Sequence, residues 1–182
     1  TPFDVETWVE SAMRYFTNRN FRVVGEDDKV YGYGRSVWAM IDTETRQPQD
    51  ILAIRDGAIN DWITADVECP IDKGSRVKMA HDLPVVRTID TYYNDVDVNG
   101  HINSVKYIEH VLDLFSIEWY KQYDLRRLEI AYVAESHGGD RLTFRIQDGT
   151  DELEKSISIS KLTENGSNSV EVCRCMVKFV KK

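Results

Sequence analysis

Between Val85 and Val180 the spacing of the apolar residues changes twice, and that change limits the folds open to the chain more than any other feature. Val86, Thr88, Asp90 and Tyr92 alternate with Val85, Arg87, Ile89, Thr91 and Tyr93, the two-residue period of a strand. From Ile102 the spacing becomes three and four. Ile102, Val105, Ile108, Val111, Leu112 and Phe115 make one stripe on a helix of about four turns. Four strand-like segments follow, Leu128 to Glu135, Arg141 to Gln147, Lys155 to Leu162 and Val170 to Val180. Gly138-Gly139, Gly149 and Asn165-Gly166 break them where hairpin turns fall. A strand, a long helix and an antiparallel run of strands predict an α+β fold in which a curved sheet wraps one helix.

The front of the chain differs. Phe3 to Val9, Phe21 to Val24 and Val30 to Ile41 are rich in β-branched and aromatic residues, and polar breaks at Asn18 to Asn20 and Gly25 to Lys29 separate them. This predicts an antiparallel meander, with Trp8 and Trp38 as core aromatics. Pro48, Pro70, Gly57 and Gly74, with a modest helical spacing of Ile51, Ile54, Ala58 and Trp62, predict a linker containing one short helix. The domain reading is therefore 1–48 for a set of strands, 49–82 for the linker and 83–182 for the second domain.

Composition narrows the partners. The net charge of the 182 residues is −8, and neither part is basic, with 10 cations against 15 acids before Pro84 and 13 against 16 after Leu83. Nonspecific nucleic-acid binding needs a basic face, so no nucleic-acid partner is expected. No apolar stretch is longer than Val37 to Ile41, far short of the roughly 18 residues of a membrane span, so no membrane partner is expected either. Cys69, Cys173 and Cys175 are an odd set without framework spacing and read as reduced thiols of a cytoplasmic protein. Asn165-Gly166-Ser167 reads as a turn rather than a glycosylation acceptor.

The most informative segment is Asp95-x-Asp97-x-Asn99-Gly100-His101-x-Asn103. As a plain strand-to-helix turn it needs only the Asn-Gly pair and a cap at Asn99 or Asn103, which leaves two carboxylates and a histidine unexplained. As a calcium loop it places Asp95, Asp97, Asn99 and Gly100 well, but puts the cation Lys106 where a bidentate Glu is required. As a catalytic site it sets acid/base groups beside a helix N-terminus, whose free N–H groups suit a developing oxyanion. Ester or thioester hydrolysis uses such parts.

The stretch from Asp95 to Tyr107, with Asn103-Ser104 and Tyr107 completing it, resembles the signature of the fatty acyl-ACP thioesterases of plants and bacteria, a hot-dog-fold family. Glu135, 34 residues after His101 in Ala131-Tyr132-Val133-Ala134-Glu135, extends the resemblance, as do Trp38 to Asp42 and Thr45-Arg46-Gln47-Pro48. The resemblance implies tandem hot-dog domains, the first incomplete, because the front part lacks a leading strand and a long amphipathic helix. It implies Asp97, Asn99, His101 and Glu135 as catalytic residues, no cofactor and no metal, and acyl carrier protein as partner, and it leaves a homodimer open. An acyl-CoA thioesterase and a non-catalytic acyl-binding sensor are the alternatives.

Many relatives carry a cysteine beside this glutamate where the chain has Ser136, so the resemblance favours carboxylate over thiol chemistry. Cys173 and Cys175 are expected on one buried face of the last strand. His81, His110 and His137 read as surface or structural residues. A basic docking surface for an acidic carrier has Lys121, Arg126 and Arg127, or Arg14, Arg19 and Arg22, as candidates.

Overall fold

The computed structural model describes residues 2–64, 66–74, 76–80, 82–163 and 169–182, so that His81 and the turn expected at 165–167 lie outside the described residues. The chain divides into two compact units, Thr1–Ser75 and Arg76–Lys182.

In the first unit, β1 (Phe3–Ala12), β2 (Phe16–Gly25) and β3 (Val30–Ala39) form an antiparallel sheet in that order. Pairing of Trp8 with Asn20 and of Asn20 with Arg35 puts these three residues on one face. The segment after residue 63 packs there through polar clamps. Trp8 Nε1 donates to the Val67 carbonyl at 3.0 Å, and Arg35 donates to the carbonyls of Ile71 at 2.9 Å and Cys69 at 2.8 Å. Glu10 accepts from Asn20 at 3.0 Å and pairs with Arg35, and these contacts, led by the Asn20 bond, hold its carboxyl below the usual range.

Trp8 is 9% exposed, as a core residue should be, but Trp38 is 56% exposed. Trp38 pairs with Thr17 on the opposite face of the sheet, so alternation along the strand sends the two indoles to different sides. The expected short helix is two 3-10 turns within Ile51–Trp62, interrupted where Arg55, Asp56 and Gly57 take φ values of 49°, 55° and 79°. Only the glycine adopts that left-handed conformation without cost, and three such residues in a row end a right-handed helix. Asp50 caps the first turn, accepting from the amides of Leu52 and Ala53.

The second unit follows the order β4 (Val85–Asp90), α1 (Ser104–Leu112), α2 (Ile117–Gln122), β5 (Tyr123–Tyr132), β6 (Arg141–Asp148), β7 (Glu154–Leu162) and β8 (Ser169–Lys181). Its five-stranded sheet runs β4-β6-β7-β8-β5, antiparallel at each pairing. One face packs on Tyr107 and Val111 of α1, forming a core with Leu142, Phe144, Ile157, Ile159, Val177 and Phe179. Cys173 and Cys175 share this buried face, with their sulfurs 3.6 Å apart.

The predicted four-turn helix is two helices. The apolar stripe continues through Phe115, but Ser116 is an N-cap whose hydroxyl accepts the Trp119 amide at 3.1 Å, and it restarts the chain as α2. The redirection brings Phe115 and Trp119 onto Phe179, with ring centroids 4.8 and 5.4 Å away. The first strand after the helices consequently begins at Tyr123 rather than Leu128 and ends at Tyr132, short of Glu135. Among the described residues no helix is long and apolar enough to cross a membrane.

Phe179 is 1% exposed at the centre of the aromatic cluster. Phe179→Ala is expected to cost about 3–5 kcal/mol in denaturant unfolding of the second unit, while Val98→Ala, at a fully exposed position, leaves the midpoint unchanged.

Candidate active site

Residues 95–103 close on themselves. The Asp95 carbonyl accepts the Asn103 amide at 2.8 Å, Val96 bridges Ile102, and the Asp97 amide donates to the His101 carbonyl at 2.8 Å. At the tip the Gly100 amide donates to the Asp97 carbonyl at 3.1 Å, with Gly100 at φ 82°, a conformation that favours glycine. The motif is thus a small hairpin that holds Asp97 and His101 opposite one another. Asn103 ends it and caps α1, its Oδ1 accepting the Val105 amide at 2.9 Å. Of the two asparagines that could cap the helix, Asn103 does so and Asn99 belongs to the exposed hairpin tip.

The hairpin is stitched to residues 134–137. The Ile102 amide donates to the Ser136 carbonyl at 2.8 Å, and His101 bridges His137, whose ring stands edge-on to that of His101 with centroids 4.9 Å apart. This stitching brings Glu135 Oε2 to 3.5 Å from His101 Nε2. Asp97, His101, Ser104, Tyr107, Tyr132 and Glu135 line a common cleft of about 380 Å³ at the start of α1. Asn99 lies outside that lining and touches the site through Asp97.

Asp97 Oδ1 accepts the amides of Asn99 at 2.8 Å and His101 at 3.1 Å. These bonds, the Asn99 amide foremost, outweigh partial desolvation and hold the carboxyl below its usual range. The two phenols of the cleft shift the other way, upward. Burial pushes Tyr132 up to about 12 and also raises Tyr107. Although Tyr132 is half exposed, its hydroxyl donates to the Ser104 carbonyl at 3.0 Å. Tyr107, fully inside, shares a hydrogen bond with the Ser136 hydroxyl. Both phenols keep their protons near neutral pH and are hydrogen-bonding groups rather than bases.

The side chains that a calcium loop would use at its first and last positions are engaged elsewhere. Asp95 Oδ2 accepts the Tyr92 amide at 2.7 Å and Oδ1 meets His110 Nε2 at 3.2 Å, while Lys106 pairs with Glu109 at 2.7 Å. Among the described residues no group of three His, Cys, Asp or Glu side chains is placed to hold a metal ion. Two contacts escaped the sequence reading. His110 follows the buried Tyr107 by three positions and precedes the buried Val111, a spacing that marks the inner side of α1 and was a usable signal. The Tyr107–Ser136 pair joins residues 29 apart and left no local trace.

Residues 78–179 match the acyl-ACP thioesterase C-terminal domain, and residues 2–54 match the acyl-ACP thioesterase N-terminal domain. An acyl-ACP thioesterase from Bacteroides thetaiotaomicron VPI-5482, known from its crystal structure, is 47% identical with a TM-score of 0.86, over 98% of this chain and 68% of that one. A 12:0-ACP thioesterase from Umbellularia californica shares the fold with a TM-score of 0.78 at 18% identity, over 98% of this chain and 67% of that one. The fold is thus the α+β hot-dog expected from the sequence. A chloroplastic palmitoyl-acyl carrier protein thioesterase from Gossypium hirsutum is 27% identical over 135 residues, 72% of this chain and 33% of that protein. The chain therefore spans about a third of the length of that relative.

A carboxyl whose folded-state pKa is lowered stabilises the fold above its unfolded value of about 3.9 and loses that contribution as pH falls through the folded value. Wild type is accordingly expected to be more stable than Asp97→Asn at pH 7, with the gap closing below about pH 4, as read by denaturant unfolding at both pH values.

Proposed function

Because this chain belongs to the acyl-ACP thioesterase family, we propose that it takes part in hydrolysing the thioester of fatty acyl-acyl carrier protein, releasing the free fatty acid. The observation that carries this reading is the meeting of His101 and Glu135 at 3.5 Å in one cleft with Asp97. In this mechanism His101 takes a proton from water as the water oxygen bonds to the thioester carbon. Glu135 and Asp97 stabilise the imidazolium that results, Asp97 through a charge within Coulombic reach of the ring. The tetrahedral intermediate then expels the thiolate as the carbon–sulfur bond breaks, and His101 returns its proton to the sulfur.

The reading gives Asn99 a positioning part, since its amide is the strongest influence on Asp97. The oxyanion falls to the start of α1. There the Val105 amide is already occupied by Asn103, so the Ser104 amide, on the cleft-lining residue, is the proposed donor. Acyl carrier protein as the carrier is favoured over coenzyme A by the family alone. Of the cations considered for docking it, Lys121 pairs with Glu118, Arg127 with Glu129, Arg14 with Asp50 and Arg22 with Glu6. Exposed Arg126 and its neighbours thus offer less uncompensated charge than the sequence suggested. The unpaired buried thiols support a cytoplasmic setting.

A panel of acyl-acyl carrier protein and acyl-CoA esters of graded chain length tests the reading. Wild type is expected to release fatty acid from the carrier-protein esters, and His101→Ala, Glu135→Ala and Asp97→Ala each to lose about 10²–10⁴-fold in kcat while remaining folded by circular dichroism. Release from coenzyme A esters only would change the carrier. Release from neither would favour the sensor.

The described cysteines are buried, and the hydrogen bond with the Cys175 thiol, together with burial, pushes Cys173 up, away from the reactive thiolate. Thiol-blocking reagents are expected to leave turnover unchanged, and inactivation by them would overturn a carboxylate mechanism.

A further inference from the structure

The hairpin that carries Asp97 and His101 is short, and its tip is exposed. What fixes it to the rest of the unit lies at its base, in Asp95. The side chain of Asp95 is 11% exposed, and both carboxylate oxygens and the main-chain carbonyl are engaged at once. Oδ2 accepts the Tyr92 amide at 2.7 Å, where the chain leaves β4, and the carbonyl accepts the Asn103 amide at 2.8 Å, where the chain enters α1. Oδ1 meets His110 Nε2 at 3.2 Å. A carboxylate oxygen can only accept, which assigns the hydrogen to Nε2.

His110 reaches Asp95 from the inner side of α1. Its ring is 19% exposed and stands edge-on to the fully buried Phe144 of β6, with centroids 6.4 Å apart. The imidazole is therefore wedged between the sheet and the hairpin base. From Asp95 the connection to the cleft is continuous, running through the Asp95–Asn103 bond, the Val96–Ile102 bridge and the Asp97–His101 bond.

We propose that His110 is a positioning residue, which through Asp95 sets the hairpin against α1 and the sheet and so fixes where Asp97 and His101 stand. This rests on the hydrolytic reading above for its effect on turnover, though not for its effect on the hairpin. His110 touches no reacting atom. A loosened base displaces the imidazole from Glu135 without emptying the cleft, so the loss falls on kcat and spares KM.

The test compares wild type, His110→Phe, His110→Gln and Asp95→Asn by steady-state hydrolysis of an acyl-acyl carrier protein and by amide hydrogen exchange resolved at residues 97–103. Phenylalanine keeps the packing on Phe144 without the hydrogen bond, and glutamine returns an N–H donor. His110→Phe and Asp95→Asn are expected to lose about tenfold to a hundredfold in kcat with KM unchanged, and to exchange the Asp97 and Asn103 amides at least about tenfold faster. His110→Gln is expected to recover most of both. Asp95→Asn decides the matter if His110→Phe fails to fold. Wild-type kcat or wild-type exchange at 97–103 in folded His110→Phe and Asp95→Asn overturns the proposal. A wild-type protein that hydrolyses no ester overturns the proposed function instead, and the exchange rates alone then decide the role of His110.

Discussion

The site depends on a nine-residue hairpin that supplies most of its own hydrogen bonds. So short a loop leaves backbone groups that must find partners, and here they find them inside the loop. Asp97 bonds His101 through the main chain, and its carboxylate takes the amides of Asn99 and His101. The residue with the lowered carboxyl pKa is thus the one that organises the backbone around the imidazole. Gly100 lets the tip turn, and Asn103 hands the chain to α1. Position and charge at this site have a common origin.

The sheet supplies what the hairpin cannot. Glu135 comes from beyond β5 and meets His101 only because Ile102 and His137 hold the two segments in register. Its segment is held by main-chain contacts and, at the next residue, by the buried hydroxyl pair of Ser136 and Tyr107. A buried hydroxyl without a partner is costly, so this pair also fixes the depth at which α1 sits under the cleft. In the first unit polar clamps play a comparable part, with Arg35 and Trp8 gripping carbonyls of the covering segment.

What was legible in the sequence was what repeats at short range. The strands β6, β7 and β8 follow from two-residue alternation between glycine-marked breaks, and a turn at Asn99-Gly100 was legible, though not the hairpin that it closes. The break between α1 and α2 was hidden because an apolar stripe records which side chains are buried, not whether the backbone is continuous. Ser116 interrupts the helix without interrupting the stripe. Trp38 was misjudged for a related reason, since a strand pattern shows two faces without showing which of them is covered. The contacts of Asp95 with His110 and of Tyr107 with Ser136 require the folded helix, and of these only the first left a spacing to read.

Asn103 closes the hairpin through its amide and starts the helix through its side chain. Nucleation is the slow part of making a helix, and the loop bonds that precede it span few residues and carry little closure entropy. The hairpin and the first turn of α1 are therefore closed by local contacts that share one residue. Glu135 meets His101 through a closure across 34 residues. The two halves of the His101–Glu135 pair thus rest on contacts of different range, the imidazole on a local loop and the carboxylate on a closure whose entropy cost is larger.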